Sequence, residues 1–163
     1  TQQPLDPCLR GKWELDDTAL SALYMRLFGH IYQRIDISGQ LMFDIHATQN
    51  SSMAMNQLRT YILEASSGGD VLDQEAIANG TVQTQILMQG PTELCVRPGA
   101  VTGTYHQRFG NTTVRDGSLA EIIQPDPTQP EVHWSYTCSA RKLQLEFKAT
   151  SDMTFEWDFN KRP

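Results

Sequence analysis

Four histidines, His30, His46, His106 and His133, are the side chains best suited to move protons or ligate metal near neutral pH. They stand singly, with no His-x-His, HExxH or CxxC spacing around them. Asp44 and His46 sit two apart in an alternating run, which places them on one strand face, where a carboxylate can orient an imidazole. Their neighbours Leu41, Phe43 and Ile45 claim the opposite, dry face, so the pair reads as a solvated couple on the wet side of a sheet. Cys95 has Glu93 and Arg97 on its own face at two residues either side, and those opposite charges give no net push toward thiolate. Asp70, Asp73 and Glu75 fit no EF-hand spacing. Neither a Gly-x-Ser-x-Gly elbow nor a glycine-rich phosphate loop occurs. With no nucleophile paired to a base, the expectation is a non-enzyme without cofactor or metal.

The elements that carry these residues are mostly strands. Three runs in the last third alternate almost without error. Val132, Trp134, Tyr136 and Cys138 share one face. Leu143, Leu145, Phe147 and Ala149 oppose Lys142, Gln144, Glu146 and Lys148. Met153, Phe155, Trp157 and Phe159 oppose Thr154, Glu156 and Asp158. A period of two predicts antiparallel strands with one dry and one wet face. Leu41 to Ala47 and Thr81 to Gln89 alternate likewise, and Met53 to Ala65 is apolar on both faces. Val101 to Phe109 reads as a strand with a Gly110-Asn111 hairpin signal. Gly90-Pro91, Pro98-Gly99 and Asp116-Gly117 read as turns, and residues 71–79 as a short helical turn. Behind the N-cap candidates Asp16, Asp17 and Thr18, the 3–4 spacing of Leu20, Leu23, Tyr24, Leu27, Phe28, Ile31 and Ile35 predicts one amphipathic helix over about 17–35. The fold class expected is mainly β, an antiparallel meander barrel of about eight to ten strands, because short connections dominate.

The chain of 163 residues is long enough for one domain with its own core, 8–163, behind a polar, Pro-bearing stretch, 1–7, that reads as a linker or the trimmed terminus of a mature or excised fragment. A net charge of −6 without a Lys/Arg stripe argues against nucleic acid as a partner. No apolar run approaches the roughly 20 residues needed to span a bilayer. Three cysteines allow three pairings. Cys8 lies in a polar, Pro-flanked segment where a buried thiol has little to pack against, and Cys138 ends a core-facing run, so a Cys8–Cys138 bridge is expected. The sequons at Asn50, Asn79 and Asn111 read as the Asn/Ser/Thr content of turns, where sugars could be tolerated in a host that adds them.

Gly11-Lys12-Trp13 resembles the Gly-x-Trp signature on the first strand of lipocalins, in which the Trp closes one barrel end. Lys161 or Arg162 is a candidate for the basic residue that packs over it. The resemblance departs where a helix follows Trp13 at once. The chain also resembles small secreted or envelope domains of bacteria with a lipocalin-like look, through Cys8-Leu9-Arg10-Gly11-Lys12-Trp13, Gly103-Thr104-Tyr105 and Tyr136-Thr137-Cys138. That resemblance implies an exported, disulfide-tied barrel, extracellular or in the cell envelope. No activity is attached to the group, so no catalytic residue carries over. Barrels of this size are filled by side chains or hold one small apolar ligand. The lining expected is Phe43, Ile45, Ile86, Met88, Tyr105, Trp134 and Tyr136, with Met53 and Met55 near a rim. The rival expectation is an interaction module that presents loops 66–79 and 124–131 to an envelope protein partner.

Overall fold

The period-two runs become the wall of a closed barrel in the computed structural model, which describes residues 3–65, 71–123, 132–148, 150 and 152–163. Nine strands follow one another: β1 (Gly11–Leu15), β2 (Arg34–Ile45), β3 (Asn50–Ala65), β4 (Val71–Met88), β5 (Glu93–Phe109), β6 (Thr112–Ser118), β7 (Val132–Cys138), β8 (Lys142–Lys148) and β9 (Thr154–Arg162). Among the described residues one α-helix, α1 (Asp17–Phe28), lies between β1 and β2. All pairings are antiparallel, and β1–β9 together with β4–β5 close eight strands into a ring from which β6 branches. The outer edge of β5 is divided: residues 93–96 pair with β7 and 104–109 with β6. A 3₁₀ turn, Leu119–Glu121, packs against β5 and buries Leu119.

One end of the ring is shut. Trp13 is fully buried and its indole N–H donates to the Leu9 carbonyl at 2.9 Å. Leu9 belongs to a 3₁₀ turn, Pro7–Leu9, capped by the Asp6 carboxylate and tied to β7 by a Cys8–Cys138 disulfide. The stretch read as a linker is therefore docked over its described part: Leu5 is buried in the core, and the Tyr136 hydroxyl donates to Asp6 Oδ2 at 2.8 Å and to the Pro91 carbonyl at 3.1 Å. Burial, and then the Asp6 carboxylate, push the Tyr136 pKa up to about 12. The folded state holds that proton more tightly than an unfolded tyrosine, which titrates near 10. Its stabilisation is thus complete below about pH 10 and is lost as pH rises toward about 12. Tyr24 and Tyr61 are shifted in the same direction. A Tyr136→Phe variant is expected to lose less stability than wild type between about pH 9 and 11, read from urea midpoints. Equal losses would show that this hydroxyl does not couple to folding.

Helix α1 is shorter than its apolar spacing suggests. It stops at Phe28, where the Gly29 N–H caps Met25 at 2.8 Å. Ile35 and Ile37 continue the apolar series as inward residues of β2, opposite Ile62 and Thr60. Asp16 caps the start by accepting from the Ala19 N–H at 3.0 Å. Ser21, inside the helix, accepts from the Ile37 N–H at 2.8 Å, which pins α1 across β2. Residues 71–79 are not helical but the first half of β4. Pro98-Gly99 is not a turn either; it lies where β5 slips register against Val82 and Thr84, and Asp116-Gly117 lies within β6.

A crease crosses four strands at one level. Gly39 in β2 has φ +93°, the β3 bulge residue Gln57 has φ +49°, Gly80 in β4 has φ +147° and its partner Gly103 in β5 has φ +131°. Asn79 Oδ1 fixes the bulge by accepting from the Gln57 N–H at 2.7 Å. Bulges and glycines of this kind bend a sheet. Below the crease the strands belong to the ring. Above it β2–β6 rise as an extension, because β1 pairs only with 42–45 of β2, and β7 only with 93–96 of β5.

Candidate functional site

The most deeply buried part of the interior lies toward the shut end. Among the expected lining residues, Phe43, Ile45, Ile86, Met88 and Tyr136 are all buried and pack with Trp13, Leu145 and Phe159. These fill the shut end and leave no lining surface there. Ser51 and Thr84 add a buried polar pair between β3 and β4, hydroxyl to hydroxyl at 2.5 Å. Met53, Met55 and Trp134 are half-buried against that core. Tyr105 sits apart, on the inner face of the extension, opposite Ala78 and Gly117.

The resemblance left Lys161 and Arg162 open as the cover of Trp13. Lys161 takes that place: its Nζ lies 4.3 Å from the Trp13 ring centroid and donates to the Arg10 carbonyl. Arg162 pairs with Glu14 on the outside instead.

At the opposite end, called the mouth below, the aromatic side chains are half-buried rather than buried. Trp134 meets Phe147 at 5.5 Å and Trp157 at 5.7 Å between centroids, and Tyr24 of α1 stands edge-on to Phe155 at 6.0 Å. All five rings are half-buried, and Tyr24, Trp134, Phe155 and Trp157 pack against the core, as do Leu27, Leu58, Met53 and Met55. Offset and edge-on rings at these distances attract beyond their area alone, and no ionised side chain belongs to the group. Burial raises the Tyr24 pKa, as a neutral, poorly solvated pocket requires. Phe147, Phe155, Trp157 and Tyr24 were absent from the expected lining. Their signal was present, since three of them alternate on the dry faces of the closing strands, but depth along the barrel is not a property of alternation.

The extension continues this chemistry on one face only. Leu58, Thr60, Ile62, Ala76, Ala78 and Tyr105 lie on the inner face by register, and Glu64, Gln74, Gln107 and Arg115 share that face farther from the crease. The outer face is ionic. Arg59 pairs with Glu75, Arg108 reaches both Asp73 at 3.1 Å and Glu75 at 3.5 Å, and Tyr61 donates to Asp73 at 3.1 Å. The Arg108 guanidinium holds the Asp73 carboxyl below its usual range. Asp73 and Glu75 are thereby taken as partners of arginine, and Asp70 lies outside the described residues. Among the described residues no group of three His, Cys, Asp or Glu is arranged to hold a metal ion. His46 and Asp44 approach to 3.8 Å with the imidazole largely exposed, in keeping with a solvated pair. Cys95 is buried outside the disulfide. An open cavity of about 440 Å³ lies on the outer wall between Asp16, Thr137, Lys142, Gln144 and Asp158. Its polar groups already serve the fold: Gln144 donates to Asp158 at 2.9 Å, Lys142 to Asn160 at 2.5 Å, and Asp16 caps α1.

No family model matches the chain, and no curated protein and no solved structure is similar to it in the comparisons. The functional reading rests on the mouth. None of the described helices is long and apolar enough to cross a membrane. Of the sequons, Asn111 stands in the β5–β6 hairpin and Asn50 opens β3, both exposed, whereas Asn79 is not in a turn but inside β4 with its carbonyl engaged at the crease.

Proposed function

We propose that this chain is an exported, non-enzymatic binding domain of the lipocalin-like kind, which holds a small apolar molecule at the mouth of its barrel. One observation carries this reading: five half-buried rings gather at one end of the barrel in two contacting groups, Trp134 with Phe147 and Trp157, and Tyr24 with Phe155. Half-buried aromatic side chains leave apolar area to be covered, at roughly 25 cal/mol per Å². Concave apolar surface is what small-molecule sites present. Beside the crease, Leu58, Thr60, Ala76, Ala78 and Tyr105 on the inner face of the extension lengthen that surface. A disulfide supports an oxidising compartment, extracellular or envelope, and the resemblance to bacterial envelope domains points the same way.

The test is titration with N-phenyl-1-naphthylamine, an uncharged apolar dye, read by dye emission and by quenching of the mouth tryptophans. Saturable binding is expected. Trp157→Ala should weaken it about tenfold, since an aromatic contact and its buried area are lost together. Binding that does not saturate, or that is indifferent to Trp157, would remove the mouth as a site. The second reading, an interaction module with a filled barrel, draws its support from Leu72 and Phe109, exposed at the end of the extension; of the loops expected to meet a partner, residues 66–70 and 124–131 lie outside the described residues.

A further inference from the structure

The rings of the barrel interior carry polar tips, and the two ends treat those tips differently. Toward the shut end each has a protein partner: the Trp13 indole N–H donates to the Leu9 carbonyl at 2.9 Å, and the Tyr136 hydroxyl to Asp6 Oδ2 at 2.8 Å. At the mouth, the described residues offer no hydrogen bond to the indole N–H of Trp134, the indole N–H of Trp157 or the Tyr24 hydroxyl. Buried Trp and Tyr usually find a partner for that tip. Trp134 and Trp157 are in ring contact at 5.7 Å between centroids, so both indole donors belong to one small area. Across the ladders Trp134 faces Leu94, Trp157 faces Leu145 and Phe155 faces Phe147. Glu146, Lys148 and Glu156 lie on the outer face of the same strands. Glu64 and Arg115, the charged residues of the inner face of the extension, lie past Tyr105 on the far side of the crease. Arg26 is exposed two residues from Tyr24, on the other side of α1.

An indole N–H donates and cannot accept. The mouth therefore presents two such donors and a hydroxyl among ring faces and the thioethers of Met53 and Met55. A charged ligand would meet no counter-ion among these rings, and a pure hydrocarbon would leave the donors to water. Half-exposed aromatic faces favour a flat π-faced partner over an acyl chain. We infer that the ligand of the mouth is an uncharged aromatic carbonyl compound, its ring packed on these faces and its oxygen accepting from an indole N–H of the Trp134–Trp157 pair. The inference rests on the apolar-ligand reading and narrows it: a few placed polar groups within an apolar site are what orient and select a small molecule.

Fluorene and fluorenone share one flat tricyclic frame, and only fluorenone bears a carbonyl. Each is titrated into the disulfide-intact protein against bound N-phenyl-1-naphthylamine, and each is added to protein carrying ¹⁵N-labelled tryptophan. The chain has three tryptophans, so three indole N–H signals report, and that of buried Trp13 is known by its slow exchange with solvent. Fluorenone is expected to bind about three- to tenfold tighter than fluorene, the increment of one neutral hydrogen bond. It should also move a mouth indole proton downfield of its position with fluorene and leave the Trp13 signal in place. Ionised fluorene carboxylate should bind more weakly than either. Trp134→Phe with Trp157→Phe keeps two rings, removes both donors and should abolish the preference for fluorenone. If that variant fails to fold, the proton shifts of wild type decide. Equal affinities, mouth signals that do not distinguish the two compounds, tightest binding of the carboxylate, or a preference that survives the double substitution would each overturn the inference. Equal and saturable binding of fluorene and fluorenone leaves the apolar-ligand reading standing. A protein that takes no dye and shows no shift with either compound overturns both.

Discussion

Gly80→Ala and Gly103→Ala are each expected to cost more than about 3 kcal/mol of stability, enough to unfold many domains of this size. Three penalties coincide at these positions. Their φ angles of +147° and +131° are ones that residues with a side chain rarely adopt. A Cβ on Gly80 would stand 2.0 Å from the Thr102 carbonyl oxygen and 2.7 Å from Gly103 Cα. One on Gly103 would stand 2.0 Å from the Asn79 carbonyl oxygen and 2.5 Å from Gly80 Cα. Each clash is with backbone, so no rotamer change relieves it. Relief means parting β4 from β5 at the crease, which breaks the ladder that closes the ring. Gly110→Ala is the control. It also has positive φ, +57°, but nothing lies within 4 Å of its added carbon, so only the left-handed penalty of about 1–2 kcal/mol remains. Urea midpoints of the three variants decide the matter, and a Gly80→Ala protein as stable as Gly110→Ala would show that the crease is not tightly packed.

Removal of the disulfide should rank next. Cys8 and Cys138 are 130 residues apart, and constraint of so long a loop in the unfolded chain stabilises by about 5 kcal/mol in the chain-entropy account. The native state loses as well. The bridge holds the 3₁₀ turn whose Leu9 carbonyl receives the Trp13 indole and whose Leu9 side chain is fully buried. Cys8→Ala with Cys138→Ala is expected to lower the urea midpoint strongly, and reducing agent should do the same to wild type. Cys95→Ala supplies the comparison, since reductant should still shift its midpoint. If reductant leaves the wild-type midpoint in place, the bridge does not hold the shut end together.

The barrel, the single helix and the Cys8–Cys138 pairing were legible because each rests on local pattern: alternation, 3–4 spacing, and a thiol stranded among prolines. What misled was local pattern with a distant cause. Residues 71–79 look like a helical turn because Asp73, Glu75, Ala76 and Ala78 carry little strand signal, and Asp73 and Glu75 find their partners in Arg59 and Arg108, on neighbouring strands. Pro98-Gly99 carries turn chemistry, yet the barrel uses it as a slip in register. The end of α1 blurs because Ile35 satisfies both a helical stripe and the first inward position of β2. The mouth was half legible. Phe43 and Trp134 obey the same alternation, but the stagger of the strands sends one to the sealed end and the other to the mouth. That difference is set by pairing across the sheet.

The lengths of the ladders carry a consequence for how the ring is assembled. β2 to β6 are joined in sequence order by long hairpin ladders, and β7 to β9 by shorter ones of the same local kind. The two curved plates meet along β5–β7, where four residue pairs are made, and along β1, which holds four pairs to β2 and four to β9. The second seam joins residues as far apart as Glu14 and Arg162, 148 positions along the chain. Loop-closure entropy opposes such a seam until both plates exist, so the plates form first and the seams zip late. The molecule behaves as two half-shells with a clasp, the disulfide lying at the foot of the small one and fastening it to the residues that lead into β1.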